Sequence, residues 1–119
     1  MKQTLVIGAT TKEDRYANRA IRALRSHKHA VVAYGLKSGT VEDVEIETEW
    51  NPDWDIETVT LYVNPQRLEE FRDKIIALKP KRVIFNPGTE HPEFIQELQE
   101  NHIHPEIACT LVMLSIGNY

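Results

Sequence analysis

The sequence contains a single cysteine, Cys109, and only five glycines among its 119 residues. One cysteine excludes a disulfide within the chain and fits a reducing compartment. No apolar run approaches the roughly 20 residues that a membrane-spanning helix needs, and the first residues lead into a predicted strand instead of a signal peptide. We therefore expect a cytoplasmic protein without a membrane segment.

A large excess of positive or negative charge is also absent. The net charge is -4, with 27% charged and 41% hydrophobic residues, which is close to the average for globular proteins. This balance argues against long-range attraction to nucleic acid or to an anionic membrane, although a local basic cluster could still bind a phosphate. A chain of this length fits one domain, residues 1–119, with a continuous core.

Strand-like and helix-like segments alternate along the chain. An acidic, turn-rich section near residues 41–55 has room for only a short extra strand, and its tryptophans, Trp50 and Trp54, could cover the sheet edge or a partner surface. The alternation predicts successive βαβ units, hence one doubly wound, Rossmann-like α/β domain with a mostly parallel five-stranded sheet flanked by helices. The predicted strands are Thr4–Gly8, Ala30–Gly35, Thr58–Val63, Arg82–Asn86 and Ile107–Leu114; the predicted helices are Asp14–His27, one starting at Pro65 after the N-cap Asn64, and one running from Pro92 to a left-handed stop at Asn101.

In doubly wound sheets, ligands bind outside the carboxyl ends of the strands. Four loops follow the predicted strands at that edge: "GATTK", "YGLKSG", "VNPQ" and "NPGTE". The first lacks the dinucleotide fingerprint G-x-G-x-x-G, because Gly8 is the only glycine before Tyr34. It nevertheless sets backbone amides, the hydroxyls of Thr10 and Thr11, and Lys12 around a helix start, which favours a phosphate; the alternative is an ordinary capping turn with a solvated lysine.

The second loop places Lys37 near the position where an NAD-binding unit has an acid for the ribose hydroxyl. A cation there argues against NAD and for a ligand with an additional phosphate on its adenosine ribose. NADP and coenzyme A both qualify. The alternative is a surface lysine beside Gly39.

The third and fourth loops each contain an Asn-Pro pair, Asn64-Pro65 and Asn86-Pro87. Proline rigidifies a turn, and Gly88 leaves a site free of side chains where a thin ligand could lie close to the backbone. Both pairs could also be simple helix starts, an explanation that suits Asn64-Pro65 better than the longer "NPGTE" loop.

No catalytic set is visible in the sequence. The histidine pairs His27/His29 and His102/His104 are interpreted as turn residues rather than metal ligands, and His91 as a helix cap. Glu90 and His91 are the only candidate bases in the four loops. Cys109 is predicted to be a small core residue in the last strand, with a thiol at the mouth of the site as the alternative.

The chain resembles the small stand-alone CoA-binding domain proteins, which are related to the amino-terminal domain of the succinyl-CoA synthetase alpha subunit. The resemblance covers nearly the whole chain and is carried by "VIGATTKEDRYANRAIRALRSH", "VVAYGLK", "TVTLYVNPQ", "KRVIFNPGTEHPEF" and "EIACTLVMLS". It implies a Rossmann-like sheet with CoA across its carboxyl edge. It also implies roles for individual residues: Gly8, Ala9, Thr10 and Thr11 at the pyrophosphate, Lys37 near the phosphorylated adenosine, Val63, Asn64, Pro65, Asn86, Pro87 and Gly88 along the rest of the ligand, and Arg15 and Tyr16 at the matching helix start.

The synthetase needs a further domain with a phosphohistidine, for which these 119 residues have no room, so its activity is not carried over. We expect a module that binds CoA or an acyl-CoA without catalysis of its own. The alternatives are an NADP-linked or acyl-CoA-processing enzyme completed by a partner, and an interaction protein that uses its ligand as a signal. A protein partner or an oligomer is left open.

Overall fold

The computed structural model describes residues 3–119, so Met1 and Lys2 of the predicted domain lie outside it. The described chain forms one α/β unit in which strands and helices alternate. Its strands are β1 (Gln3–Ile7), β2 (Ala30–Tyr34), β3 (Gly39–Val41), β4 (Val44–Glu47), β5 (Ile56–Leu61), β6 (Arg82–Phe85) and β7 (His104–Ile107). Its helices are α1 (Tyr16–Ser26), α2 (Pro65–Leu68), a 3-10 turn (Glu69–Phe71), α3 (Arg72–Leu78), α4 (Pro92–Glu100) and α5 (Thr110–Ser115).

The strands form one sheet in the order β3-β4-β2-β1-β5-β6-β7. All neighbouring strands are parallel except β3 and β4, which form an antiparallel hairpin. The chain leaves β1 toward one edge and, after the hairpin, crosses to the other side of β1 to form β5. The strand order therefore reverses between β1 and β5, and a crevice opens at their carboxyl ends.

Two apolar cores cover the two faces of the sheet. Side chains of a strand alternate between faces, so Leu5 and Ile7 face the helices α2 to α4, whereas Val6 faces α1 and α5. All three are fully buried. Burial on both faces explains why the first strand is a continuous apolar run rather than an alternating one.

The crossover from β4 to β5 contains no helix. The loop at residues 48–55 instead lays Trp50 and Trp54 over the sheet, with ring centroids 5.2 Å apart. Both tryptophans contact the ring of Tyr34, and Trp50 stacks on Phe71. Two aromatic side chains here bury apolar surface that a crossover helix would otherwise cover.

The predicted number of strands is wrong: the described residues form seven, not five. The acidic section contains a two-stranded hairpin, in which Val41, Val44 and Ile46 turn inward. Arg25 of α1 stabilises the turn of this hairpin: its Nε and Nη2 donate to the two carboxylate oxygens of Asp43, at 2.8 and 2.7 Å. Three inward apolar residues spaced over six positions are too short a pattern to stand out among acidic neighbours.

The predicted last strand, Ile107–Leu114, is also wrong. Strand β7 ends at Ile107, and residues 110–115 form helix α5. Thr110, Met113 and Leu114 are its buried residues, a helical spacing of i, i+3 and i+4. A short apolar run does not by itself distinguish a buried strand from a buried helix. Cys109 accordingly precedes this helix, partly buried, instead of lying in a strand.

Two predicted helix starts are confirmed. The Asn64 side chain accepts a hydrogen bond from the Arg67 amide at 2.8 Å, with Pro65 at the first helical position. His91 Nδ1 likewise accepts from the Phe94 amide at 3.1 Å. The left-handed stop of α4 falls one residue later than predicted, at His102, where the φ angle is 60°. None of the helices in residues 3–119 is long and apolar enough to span a membrane.

Candidate functional site

A cavity of about 630 Å³ opens at the carboxyl ends of β1, β2, β5 and β6. It lies where the strand order reverses, as the fold requires of a ligand crevice. All but two of the predicted site residues line it: Gly8, Ala9, Thr10, Thr11, Lys12, Arg15, Tyr16, Lys37, Val63, Asn64, Pro87 and Gly88. The four predicted loops therefore meet at one place.

Pro65 and Asn86 are the two predicted residues that do not line the cavity. Pro65 is the first residue of α2. Asn86 is 2% exposed, and both polar atoms of its side chain form hydrogen bonds. Its Nδ2 donates to Thr60 Oγ1 and the Leu61 carbonyl at 2.7 and 2.8 Å, and its Oδ1 accepts from the Thr110 amide at 2.9 Å. Asn86 thus joins β5, β6 and the start of α5.

The turn after β1 is held by the neighbouring strands. The amides of Gly8 and Ala9 both donate to the Tyr34 carbonyl, at 3.0 and 2.9 Å. Gly8 has a φ angle of 98°, and a Cβ there would lie 2.7 Å from the Tyr62 carbonyl oxygen. Glycine is therefore required at this position. These two amides shape the turn, which leaves the amides of Thr10 and Thr11 without a backbone hydrogen bond to any described residue.

Helix α1 begins without a cap. Its N-cap residue, Arg15, has extended backbone and makes no side-chain capping bond, and the first turn contains no acid. The first amides of a helix have no partner within the helix, so they attract an acceptor or an anion. Helices α2 and α4 differ in this respect, because Asn64 and His91 cap them.

Every charged side chain that lines the cavity is a cation. Two loops contribute Lys12, Arg15 and Lys37, helix α2 contributes Arg67, and no aspartate or glutamate is in the lining. Within the described part of the chain none of the four forms an ion pair. A positive cavity in a chain of net charge -4 is a local arrangement suited to an anionic ligand.

Arg67 is a site residue that the sequence analysis missed. The signal was present: Asn64 caps α2, so the third residue of that helix lies at the same edge of the sheet as the other loops. The other lining residues not predicted are mostly apolar or aromatic and form the walls: Ile7, Ala17, Tyr34, Gly35, Leu36, Tyr62, Phe71 and Thr89.

The side wall near Gly88 is open. Gly88 has a φ angle of 90°, and nothing lies within 4 Å of the position that a Cβ would take. Its amide donates to Glu90 Oε1 at 2.9 Å, which fixes the turn. The backbone of Gly88 is therefore accessible from the cavity.

The two candidate bases, Glu90 and His91, form hydrogen bonds that stabilise a turn and a helix start. Glu90 accepts from Gly88, and His91 caps α4 while its Nε2 lies 3.4 Å from Glu69 Oε1. Neither lines the cavity, and neither does Cys109. No group of three His, Cys, Asp or Glu side chains that could hold a metal occurs among residues 3–119.

Tyr62 lies in the cavity wall beside the Asn86 network. Burial raises the pKa of its hydroxyl to about 12. The hydroxyls of Thr60 and Thr110 lie near it, yet the Tyr62 hydroxyl makes no hydrogen bond of ordinary geometry in the described structure. A buried hydroxyl without a partner costs stability.

Comparisons with known proteins give one family match. A family model described as a CoA binding domain matches residues 2–115. Comparison with curated proteins returns no match.

Solved structures share the fold. A crystal structure of an uncharacterized protein is 49% identical over 100% of this chain and 98% of its own, with a TM-score of 0.95. A Thermus thermophilus protein is 20% identical over 99% and 91%, with a TM-score of 0.86. The dinucleotide-forming acetyl-coenzyme A synthetase 1 of Ca. Korarchaeum cryptofilum, solved with phosphate and ADP, matches 91% of this chain and 26% of its own, at 12% identity and a TM-score of 0.71.

Proposed function

The chain belongs to the CoA binding domain family, and from that premise we propose that it binds coenzyme A or an acyl-CoA in the cavity, without catalysis of its own. One observation carries the proposal: the charged groups lining the cavity are four cations without ion pairs in the described chain. Coenzyme A is a polyanion with a pyrophosphate and a ribose phosphate. Cations from separate elements suit a ligand that carries phosphate at two separate positions, as CoA does with its pyrophosphate and its ribose phosphate.

The uncapped start of α1 is the proposed pyrophosphate site. Unpaired amides at a helix N-terminus, together with the Thr10 and Thr11 hydroxyls, provide donors for phosphate oxygens. Lys12 and Arg15 add charge beside them. Gly8 and Ala9 serve this site by shaping the turn, since their own amides bond to Tyr34.

Lys37 is the proposed partner of the ribose phosphate. It follows β2, at the place where an NAD-binding unit has an acid. A lysine recognises a phosphate as a point charge, which favours a phosphorylated ribose over the free hydroxyl of NAD.

The pantetheine arm is assigned to the side of the cavity formed by Val63, Pro87 and Gly88. The open backbone at Gly88 admits a narrow chain, and Phe71 and Tyr62 offer apolar surface nearby. Pro65 and Asn86 support this wall from behind: Pro65 starts α2, and Asn86 fixes the end of β6.

Isothermal titration with CoA, dephospho-CoA, NADP and NAD tests the proposal. We expect CoA to bind at least about tenfold more tightly than dephospho-CoA, since a charge-assisted bond contributes about 1.5 to 3 kcal/mol. Lys37→Ala should erase that difference. Lys81→Ala, at the opposite edge of the sheet, is the matched control and should preserve it.

Failure of CoA to bind at millimolar concentration would refute the proposal. Tighter binding of NADP than of CoA would assign the cavity to the nicotinamide alternative. Consumption of an acyl-CoA by the purified protein would assign it to the enzyme alternative.

A further inference from the structure

Helix α1 holds the loop in front of it through two of its own side chains, Asn18 and Arg22, which we call the α1 clamp. Asn18 Nδ2 donates to the Thr10 carbonyl at 3.0 Å. Arg22 Nη2 donates to the Glu13 carbonyl at 3.0 Å, and Arg22 Nε donates to Asn18 Oδ1 at 2.8 Å. The clamp therefore fixes two carbonyl groups of the loop from the helix.

Asn18 is an exceptional residue on its face of α1. It is 2% exposed, and the other buried residues of the helix are Ala17, Ala20, Ile21 and Leu24. A buried amide is costly unless its hydrogen bonds are satisfied. The Asn18 Nδ2 donates to the loop and its Oδ1 accepts from Arg22, so both polar groups of the side chain are hydrogen-bonded. The burial of Asn18 therefore depends on the conformation of the loop.

The planar peptide bond links this contact to the cavity. In a trans peptide, the carbonyl of one residue and the amide of the next point in opposite directions. Since the Thr10 carbonyl points to Asn18, the Thr11 amide points away from it. Thr10 and Thr11 line the cavity, whereas Asn18 and Arg22 do not.

We propose that Asn18 is a positioning residue for anion binding: it holds the Thr10–Thr11 peptide so that the cavity meets an N–H donor and not a carbonyl oxygen. This inference rests on the proposed function, because it assigns the phosphates of the ligand to this loop. Without the Asn18 donor, rotation of the peptide would turn the Thr10 oxygen toward a phosphate. That contact is repulsive, since both groups are acceptors.

Asn18→Leu tests the inference with a side chain of similar size and without an added charge. Leucine has no N–H for the Thr10 carbonyl, and it places no negative charge near the loop that would itself repel a phosphate. We expect CoA to bind at least tenfold more weakly, at a temperature where circular dichroism shows the variant to be folded. Affinity within twofold of wild type would overturn the proposal.

Thr58→Val is the control for a merely structural effect. Thr58 is also 2% exposed, and its hydroxyl accepts a hydrogen bond from Arg82 Nε at 3.0 Å near the opposite edge of the sheet. Loss of this hydrogen bond should lower the melting temperature, while the affinity for CoA stays within twofold of wild type. Equal losses of affinity in both variants would mean that general destabilisation weakens binding, and would refute a specific role for Asn18.

A measurement without ligand separates this inference from the proposed function. In free Asn18→Leu, the carbonyl shift of Thr10 and the amide shift of Thr11 should move more than those of β5 in NMR spectra. If wild type fails to bind CoA but these shifts move, the proposed function fails and the clamp geometry stands. Unmoved shifts contradict the clamp whatever the ligand.

Discussion

Gly8 is the residue at which backbone conformation and close packing coincide. Gly8→Ala should lower the free energy of unfolding by about 3 kcal/mol, because its φ angle is 98° and the new Cβ would meet the Tyr62 carbonyl oxygen. Gly88→Ala is the matched comparison, with a φ angle of 90° and open space around it. It should cost about 1 to 2 kcal/mol, from backbone strain alone. Urea unfolding measures both, and equal losses would show that the contact at Gly8 relaxes.

Tyr62 makes the protein sensitive to alkali. Its pKa is about 12 in the folded chain and about 10 when unfolded, so folding favours the protonated form. This contribution is fully present below pH 10 and is lost as the pH rises toward 12. Two pKa units correspond to about 2 to 3 kcal/mol.

Tyr62→Phe should flatten the loss of unfolding free energy between about pH 10 and 12, and it should cost little at neutral pH, since the hydroxyl has no partner of ordinary geometry in the described chain. Chemical unfolding across this range measures the effect. Tyr16→Phe, at an exposed ring, is the control and should follow the wild-type curve. A parallel curve for Tyr62→Phe would contradict the assignment.

At the scale of residues, the sequence predicted which side chains meet better than it predicted what they do. The place of Lys37 after a strand and the place of Asn64 at a helix start could be predicted locally, because the ends of strands and helices leave signals in the neighbouring sequence. The partners of Gly8 and Asn86 do not, since the Tyr34 carbonyl and the Thr110 amide come from distant segments. Such bonds are set by how the strands pair, which no local pattern records.

Among the elements, α5 depends on a residue outside it. Its N-cap, Cys109, makes no side-chain capping bond, and the Thr110 amide is satisfied by Asn86 of the β6 end. Asn86→Ala should cost about 3 kcal/mol, because it removes the side-chain partner of the Leu61 carbonyl in β5 and of the Thr110 amide in α5. The amides of residues 110–115 should then exchange faster with deuterium.

Asn101→Ala is the comparison for Asn86→Ala. Asn101 also donates to a carbonyl, that of Glu97, but its side chain is exposed. Its replacement should change the free energy of unfolding by less than about 1 kcal/mol. Similar losses for both variants, with unchanged exchange in α5, would contradict the capping role of Asn86.

The elements that were predicted well are those with a complete periodic pattern. Helix α1 buries Ala17, Ala20, Ile21 and Leu24, a pattern long enough to fix its type and face. The hairpin β3-β4 and helix α5 are too short for that. Their type is decided by contacts with α1 and with Asn86, and such contacts override weak local preference.

For the whole molecule, the net charge and the charge of the cavity predict opposite effects of salt on CoA affinity. The net charge of -4 predicts that an anionic ligand is repelled, so that added salt would strengthen binding by screening. The cations of the cavity predict the reverse. We expect CoA affinity to fall about fivefold or more between roughly 50 and 500 mM NaCl, since local attraction is screened. Titrations across this range measure it, and tighter binding in high salt would show that the net charge dominates.

The fold class was predictable because alternating strands and helices leave few topologies open. The carboxyl-edge location of the cavity follows from the same rule. The helix-free crossover did not follow, because nothing local shows that the loop with Trp50 and Trp54 lies over the sheet. Its place is set by packing against Tyr34 and Phe71.

That crossover gives the molecule a built-in optical reporter. Trp50 and Trp54 are the only tryptophans in the sequence, and they touch Tyr34 and Phe71, which line the cavity. Tryptophan emission therefore comes from one aromatic cluster at the cavity wall. Occupancy of the cavity becomes readable as a change in fluorescence, with no label attached to the protein.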